Sequence, residues 1–189
     1  MTVGVLLLAA GKSRRYGSDK RIARMQDGRR LLDVSLGHVV DSGLPLVVCV
    51  GKADKELVAE LSSRDILCVT SPNSASGMGS TLADGVAGAP ASWAAIIIGL
   101  GDMPMIQPET YRLVANALTP GKIVTPVYLG QRGHPIGFDQ SYFPTLMGLR
   151  GDQGARQVIA ANPAAVIAIN VSDPGVVVDV DTPEQLASI

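Results

Sequence analysis

Three sets of residues in this 189-residue chain are of types and spacings that could do chemistry together. The first is the segment Ala9-Ala10-Gly11-Lys12-Ser13-Arg14-Arg15-Tyr16-Gly17-Ser18-Asp19-Lys20, a small-residue loop crowded with cations. The second is Gly101-Asp102-Met103-Pro104, and the third is Asp179-Val180-Asp181-Thr182-Pro183. A glycine turn lets backbone N–H groups approach an anion closely, and fixed Lys and Arg charges neutralise it. Carboxylates at the ends of other strands could hold a hard cation such as Mg²⁺, which takes one or two carboxylates and completes its shell with water and phosphate oxygens. Singly, Asp102 reads as a turn former before Pro104 and Asp181 as a residue preceding a helix cap. Beside a cationic loop, a shared role around a polyphosphate is the stronger reading.

Charge is distributed to match. Half of the sixteen Lys and Arg lie between Lys12 and Arg30, against only Asp19 and Asp27, so that stretch is net +6 while the remainder is net −7. An anionic ligand at this loop is the expectation. The loop is not a Walker A motif, because Leu6 stands where that motif needs its first glycine. Nor does it supply the G-x-G-x-x-G of a dinucleotide site.

The elements that must position these residues are legible from periodicity. Short apolar, β-branched runs predict strands near Val3–Leu8, Leu46–Val50, Ile66–Thr70, Ala95–Leu100, Ile123–Val127, Ile136–Phe138, Val166–Val171 and Val176–Val180. Helical spacing appears at Leu32, Leu36, Val39 and Val40, with Gly43 as a stop, and over Lys55–Ser63, Ser80–Gly88, Pro108–Leu118 and Gln153–Ala161. Thr182, Pro183 and Gln185 read as a capped helix start. Strands alternating with helices imply βαβ crossovers in a single α/β domain with a mostly parallel twisted sheet, and Ala95-Ile96-Ile97-Ile98, without polar alternation, suits its centre. In such sheets ligands bind beyond the carboxyl ends of the strands, where all three sets would lie.

Composition bounds the remaining classes. A pI of about 6.1 argues against a nucleic-acid partner. The longest apolar run, Ala94 to Leu100, is too short to span a bilayer, and no basic residue precedes the N-terminal apolar run as in a secretory signal, so a cytoplasmic protein is expected. Cys49 and Cys68 sit inside apolar strand runs and read as buried structural thiols. His38 falls in a helical pattern. His134, between Gly133 and Pro135, reads as a hydrogen-bonding group rather than a general base, since an attacking phosphate has no proton to lose.

With Tyr16 standing for the usual Met, Leu8 to Lys20 resembles the nucleotidyltransferase signature L-A-[AG]-G-x-S-x-R-M-G-x-x-K. Together with Gly101-Asp102-Met103-Pro104, Arg132-Gly133-His134-Pro135 and Val178-Asp179-Val180-Asp181-Thr182-Pro183, the chain resembles the molybdenum cofactor nucleotidyltransferases, more narrowly their cytidylyltransferase branch. The resemblance implies a glycosyltransferase-A-like α/β fold and transfer of CMP from CTP to the terminal phosphate of molybdopterin, releasing pyrophosphate with Mg²⁺ as cofactor. It implies that the backbone of Leu8, Ala9, Ala10 and Gly11 holds base and ribose, that Arg15 and Lys20 bind the triphosphate, and that Asn73 and Ser80 lie beside the nucleotide. Lys20, Arg15 and Asp102 would be catalytic, and Asp102 would hold the metal with Asp181 or Asp179. The pterin side would comprise Gly133, His134, Pro135, Asp152 and Arg156. Ala10, where the guanylyl branch has glycine, implies CTP rather than GTP. The alternatives are a guanylyltransferase, a sugar-1-phosphate nucleotidyltransferase, and a non-catalytic carrier that delivers the cofactor to an apo-molybdoenzyme. The segment Arg21–Gly28 is more basic than the apolar, proline-containing stretch of relatives.

Overall fold

The computed structural model describes residues 1–11 and 19–186. The most apolar runs become the central strands of one sheet, with side chains buried on both faces, and the flanking runs are only partly covered. These strands are β1 (Val3–Leu8), β2 (Leu46–Gly51), β3 (Leu67–Ser71), β4 (Ala95–Leu100), β5 (Ile123–Tyr128), β6 (Gln131–Arg132), β7 (Ile136–Asp139) and β8 (Val166–Asn170). The helices are α1 (Leu31–Asp41), α2 (Lys55–Ser62), α3 (Met78–Ala87), α4 (Pro108–Ala117), α5 (Phe143–Met147), α6 (Arg156–Ala161) and α7 (Pro183–Leu186). Alternate residues of β1 feed two cores. Val5 and Leu7 pack with Leu32, Leu36, Tyr111 and Val114 of α1 and α4, whereas Leu6 packs with Leu82 and Val86 of α3 and Leu146 of α5. Helices therefore cover both faces of a mixed, mostly parallel sheet. None of the helices is long and apolar enough to cross a membrane among the described residues.

Strand order is β3-β2-β1-β4-β7-β5-β6, with β8 pairing β5. β1 pairs parallel with β2 on one side and with β4 on the other, so the chain reverses its direction of travel across the sheet between β1 and β4. That switch point is where an open α/β sheet leaves a crevice at its carboxyl edge. Register aligns Leu8 with Leu100, and the Gly101 N–H donates to the Leu8 carbonyl at 3.0 Å. The loops that begin at Ala9 and at Gly101 thus emerge side by side, and the cationic loop and Asp102 share one edge.

Beyond β4 the sheet turns antiparallel: β7 pairs antiparallel with β4 and with β5. The Val127↔Arg132 pairing would extrapolate to Ile123↔Ile136, but Ile123 faces Phe138. Two surplus residues are absorbed at Gly133-His134-Pro135, where the chain leaves β5 and the His134 N–H donates to the Val176 carbonyl at 2.9 Å. A Cβ on Gly133 would lie 2.0 Å from that carbonyl oxygen, so only glycine lets the two backbones meet.

The expected strand Val176–Val180 does not form. Val176 and Val180 are fully buried and Val177 and Val178 half-buried, but the segment opens with a 3₁₀ turn over Pro174–Val177. The Asp173 carboxylate accepts the Gly175 N–H at 2.9 Å and so bends the backbone before a ladder can start. The same carboxylate accepts from the Gln107 N–H at 2.9 Å and the Thr110 hydroxyl at 2.6 Å, which pins the segment to the start of α4. Further along, the Val180 N–H donates to the Asp102 carbonyl at 3.0 Å. The run is a thread tacked to three different neighbours, and burial without alternation could not distinguish it from a central strand.

This thread carries Asp181, so its seating should be sensitive to bulk. A Cβ on Gly175 would meet the Met105 carbonyl oxygen at 2.2 Å. Gly175→Ala is expected to destabilise the protein by about 1–3 kcal/mol, which thermal unfolding will register as a drop of roughly 2–4 °C per kcal/mol. An unchanged melting temperature would show that the thread is not seated against α4.

Candidate active site

Three chain segments far apart in sequence meet beyond β1 and β4. Asp19 caps a 3₁₀ turn over Lys20–Ile22 through its side chain, which accepts the Arg21 N–H at 3.0 Å. The turn directs Lys20 inward, where it is 7% exposed. Its ammonium donates to Asp102 Oδ2 at 2.9 Å and to Asp181 Oδ1 at 3.2 Å. Burial alone would lower the Lys20 pKa, but attraction and hydrogen bonding to Asp102, reinforced by Asp181, outweigh it and raise the value, so the lysine is charged.

Both carboxylates are held from behind. The Gly101 carbonyl accepts the Ser35 hydroxyl of α1 at 3.1 Å, which fixes the turn before Asp102. Asp181 opens α7 through the expected capping box: the Gln185 side chain accepts the N–H groups of Asp181 and Thr182 at 2.6 and 2.9 Å, while Thr182 Oγ1 accepts the Gln185 N–H at 3.3 Å. The i, i+2 spacing did not put both acids on the site, since Asp179 is exposed on the thread and Asp181 meets Lys20.

The cluster sits in a cleft of about 760 Å³. Leu8, Ala9, Ala10 and Gly11 line it on the β1 side, Gly51 to Asp54 at the end of β2, and Gly77 and Met78 on the α3 side with Asp152 beside them. The Gly77 backbone has φ +123°, and a Cβ there would lie 2.3 Å from Asp152 Oδ1. The Gly79 N–H donates to the Gly151 carbonyl at 2.8 Å, so the α3 loop and the Gly151 turn interlock at backbone distance.

Several expected site residues are placed elsewhere. Arg15 lies outside the described residues. Asn73 is not on the cleft wall; its N–H and Nδ2 both donate to Asp84, which also accepts the Ser71 hydroxyl at 2.6 Å. Ser80 is buried and its hydroxyl accepts the Gly151 N–H at 3.0 Å. Gly133, His134 and Pro135 lie behind the cleft rather than on it. His134 hydrogen-bonds the Ile98 backbone close to Asp102 and Asp179, its Nδ1 is buried without a partner among the described residues, and burial holds its imidazole below the usual pKa, hence neutral at pH 7. Arg156 is exposed at the start of α6, away from the cleft lining. Cys49 is buried and its thiol pushed up to about 12 by burial, in keeping with a structural thiol.

The positive charge of residues 19–30 is largely paired within the fold. Between Asp19 and Arg30 every described Lys and Arg has an oxygen partner, mostly acids from other segments. Arg21 pairs with Asp19 and Asp54, Arg29 with Asp27, and Arg30 with Asp33 and Glu60, while Arg24 donates to the Gly28 carbonyl. Local sequence charge overlooks acids that the fold brings in. Arg21 and Asp54 are the site residues that sequence reasoning missed, although Gly51-Lys52-Ala53-Asp54 at a strand's carboxyl end was the signal available.

Among the described residues no group of three or more His, Cys, Asp or Glu could hold a metal ion. The two carboxylates that converge on Lys20 nevertheless fit a hard cation that takes most of its ligands from phosphate and water. Their oxygens already accept one positive charge, that of the ammonium.

A crevice at the β1/β4 switch point, lined by a small-residue loop and ending in a lysine and two acids, is the arrangement of a nucleotidyltransferase. The chain belongs to the family of the MobA-like NTP transferase domain, which matches residues 5–166. It is 30% identical to the purine catabolism protein PucB of Bacillus subtilis (strain 168) over 194 residues, covering 97% of this chain and 93% of that protein. Its fold resembles Rv0371c of Mycobacterium tuberculosis H37Rv, with TM-score 0.85, 25% identity and coverage of 100% and 98% of the two chains. That protein is also known in a complex with manganese, matched at TM-score 0.79 and 23% identity over 98% and 96% of the chains. The molybdopterin-guanine dinucleotide biosynthesis protein A of Archaeoglobus fulgidus shares the fold at TM-score 0.67 and 17% identity, over 97% and 94%.

The Asp84 cluster makes a pH prediction. Partial burial would raise the Asp84 pKa, but hydrogen bonds from Ser71 and Asn73 outweigh it and hold the value below its ordinary 3.8. A depressed folded-state pKa contributes stability that is full above the unfolded value and lost as pH falls through the folded one. Melting temperatures of wild type and Asp84→Asn should therefore differ most above pH 3.8 and converge at lower pH. A pH-independent difference would mean that the charge of Asp84 does not hold this loop.

Proposed function

We propose that the protein transfers CMP from CTP to the terminal phosphate of molybdopterin or its molybdenum-bearing form. An acceptor phosphate oxygen forms a bond to the α-phosphorus, the α–β phosphoanhydride bond breaks, and pyrophosphate leaves with the displaced electron pair. The observation that carries this reading is the meeting of Lys20, Asp102 and Asp181 at one end of a cleft of nucleotide size. Membership of the MobA-like NTP transferase family supports the nucleotide donor. The molybdopterin named for the Archaeoglobus fulgidus protein supports the acceptor.

The residues act by position and charge. Small side chains at Ala9, Ala10 and Gly11 let the loop backbone approach base and ribose. Lys20, with Arg15 from the same loop, offsets the negative charge that builds on the phosphates. Asp102 and Asp181 would hold Mg²⁺, which when bound neutralises phosphate oxygens. Asp152, which lines the cleft beside Gly77, would face the acceptor. No enzyme nucleophile is needed, since the acceptor phosphate is itself anionic.

Ala10, 7% exposed on the cleft wall, carries the choice of base. Its Cβ narrows the space beside the loop and restricts φ relative to glycine. CTP is expected over GTP by at least about tenfold in kcat/KM, for which only ~1.4 kcal/mol suffices, and Ala10→Gly should erode the ratio.

The decisive experiment incubates the protein with Mg²⁺, CTP or GTP, and molybdopterin or a sugar 1-phosphate, and follows pyrophosphate. Release with CTP and molybdopterin supports the proposal. Preference for GTP, or for the sugar phosphate, reassigns the substrate, and binding without release points to a non-catalytic carrier. Lys20→Ala and Asp102→Ala should each lower turnover about 10²–10³-fold, as expected when one charge-stabilising group is lost. Near-normal pyrophosphate release by either folded variant would overturn the assignment.

A further inference from the structure

Arg21 follows Lys20 directly and lines the same cleft, so charge alone would make it a second phosphate ligand. Its hydrogen bonds say otherwise. Nε donates to Asp19 Oδ1 at 2.8 Å, and Nη2 donates to Asp19 Oδ2 at 2.6 Å and to Asp54 Oδ1 at 3.0 Å. Nη1 donates to Asp54 Oδ2 at 2.6 Å and to the Ala9 carbonyl at 3.0 Å. A guanidinium has five N–H donors, and all five are committed to these three partners. Arg21 and Asp54 are also largely shielded, with side chains 15% and 12% exposed.

The partners come from three parts of the cleft wall. Ala9 opens the loop after β1, Asp19 and Arg21 close it, and Asp54 ends the turn after β2. Asp54 is seated in turn by the Gly51 N–H, which donates to Oδ2 at 2.8 Å. Gly51 must lack a side chain for this, since a Cβ would stand 2.9 Å from the same oxygen. The Arg21 to Ala9 bond ties the two stems of the loop whose far stem carries Lys20.

We propose that Arg21 and Asp54 form a clamp that presets the nucleotide-binding loop, Arg21 acting as a positioning residue and not as a phosphate ligand. The inference deepens the nucleotidyltransferase reading and rests on it. By holding the loop stems in place before the nucleotide arrives, the clamp removes part of the ordering cost from binding. A planar fork with two bidentate carboxylate partners does this; a lysine at the same position, a point charge with three donors, cannot.

The two roles differ in sign at Asp54. If charge ruled, removing a carboxylate from a triphosphate cleft and freeing Arg21 would tighten nucleotide binding. If the clamp rules, Asp54→Asn weakens it.

The test titrates Mg²⁺·CTP without acceptor into wild type, Arg21→Ala, Arg21→Lys and Asp54→Asn, with melting curves to confirm folding, and then measures kcat and KM for CTP with acceptor. Loss of charge-assisted hydrogen bonds predicts affinity weaker by about tenfold or more in each variant. Arg21→Lys should be no better than Arg21→Ala, and the loss should appear in KM for CTP more than in kcat. Retained affinity in Arg21→Lys alone would make Arg21 a phosphate ligand and overturn the clamp. Unchanged or tighter binding in Asp54→Asn would also overturn it, and this variant decides the matter if Arg21→Ala does not fold. A wild type that binds neither CTP nor GTP would sink the nucleotidyltransferase reading together with the clamp, whereas a binding wild type with unaffected variants would remove the clamp alone.

Discussion

One ammonium between two carboxylates organises the site. Lys20 reaches Asp102 and Asp181, 82 and 161 residues away in sequence, and joins through side chains three segments that backbone hydrogen bonds also hold side by side. The energetic worth of the contact is modest. The lysine side chain is 9% exposed, but the aspartates remain 33% and 38% exposed, so water screens the attraction and part of the burial cost is offset only by two hydrogen bonds. The contact matters for position. It requires the β1 loop to return to the sheet, the β4 turn to project its carboxylate forward, and the C-terminal thread to cross behind both.

Each requirement has a separate physical cause. Parallel pairing of β1 with β4 aligns Leu8 with Leu100, so the two loops leave the sheet at the same height. The Gly101 turn is held by the Leu8 carbonyl on one side and the Ser35 hydroxyl on the other. The thread is drawn across by Asp173 at α4, by His134 at Val176 and by Asp102 at Val180. Glycines stand where backbones cross: Gly133 against Val176, Gly175 against Met105, and Gly79 against Gln153, where an added Cβ would lie between 2.0 and 2.3 Å from a carbonyl oxygen. The cleft walls are therefore set by backbone contacts that most substitutions cannot disturb, and the chemistry rests on a few side chains projecting from them.

The cationic segment shows how far local charge can mislead about surface charge. Asp33, Asp54, Glu60, Asp102 and Asp181 come from the acidic remainder of the chain and pair with Lys20, Arg21 and Arg30. Arg21, next to Lys20, is held by Asp19 and Asp54.

By itself the sequence determined most of the strands and the segments that the fold brings to one cleft. Apolar runs bounded by glycine and polar turns placed seven strands within a residue or so of their observed limits, because burial on both faces leaves a run without polar interruption. It also singled out the three segments that meet at the cleft, since signatures such as Ala9-Ala10-Gly11 and Thr182-Pro183-Glu184-Gln185 encode local backbone geometry. The tertiary structure decided the rest. It made Val176–Val180 a thread, because the Asp173 cap and scattered hydrogen-bond partners bend it away from a regular ladder. It selected Asp181 over Asp179 to meet Lys20, turned Asn73 and Ser80 to hold loops, and moved Gly133-His134-Pro135 behind the cleft. It also paired Arg21 with Asp54. These outcomes depend on which groups arrive at hydrogen-bond distance from segments tens of residues away, and no periodicity or local spacing carries that information.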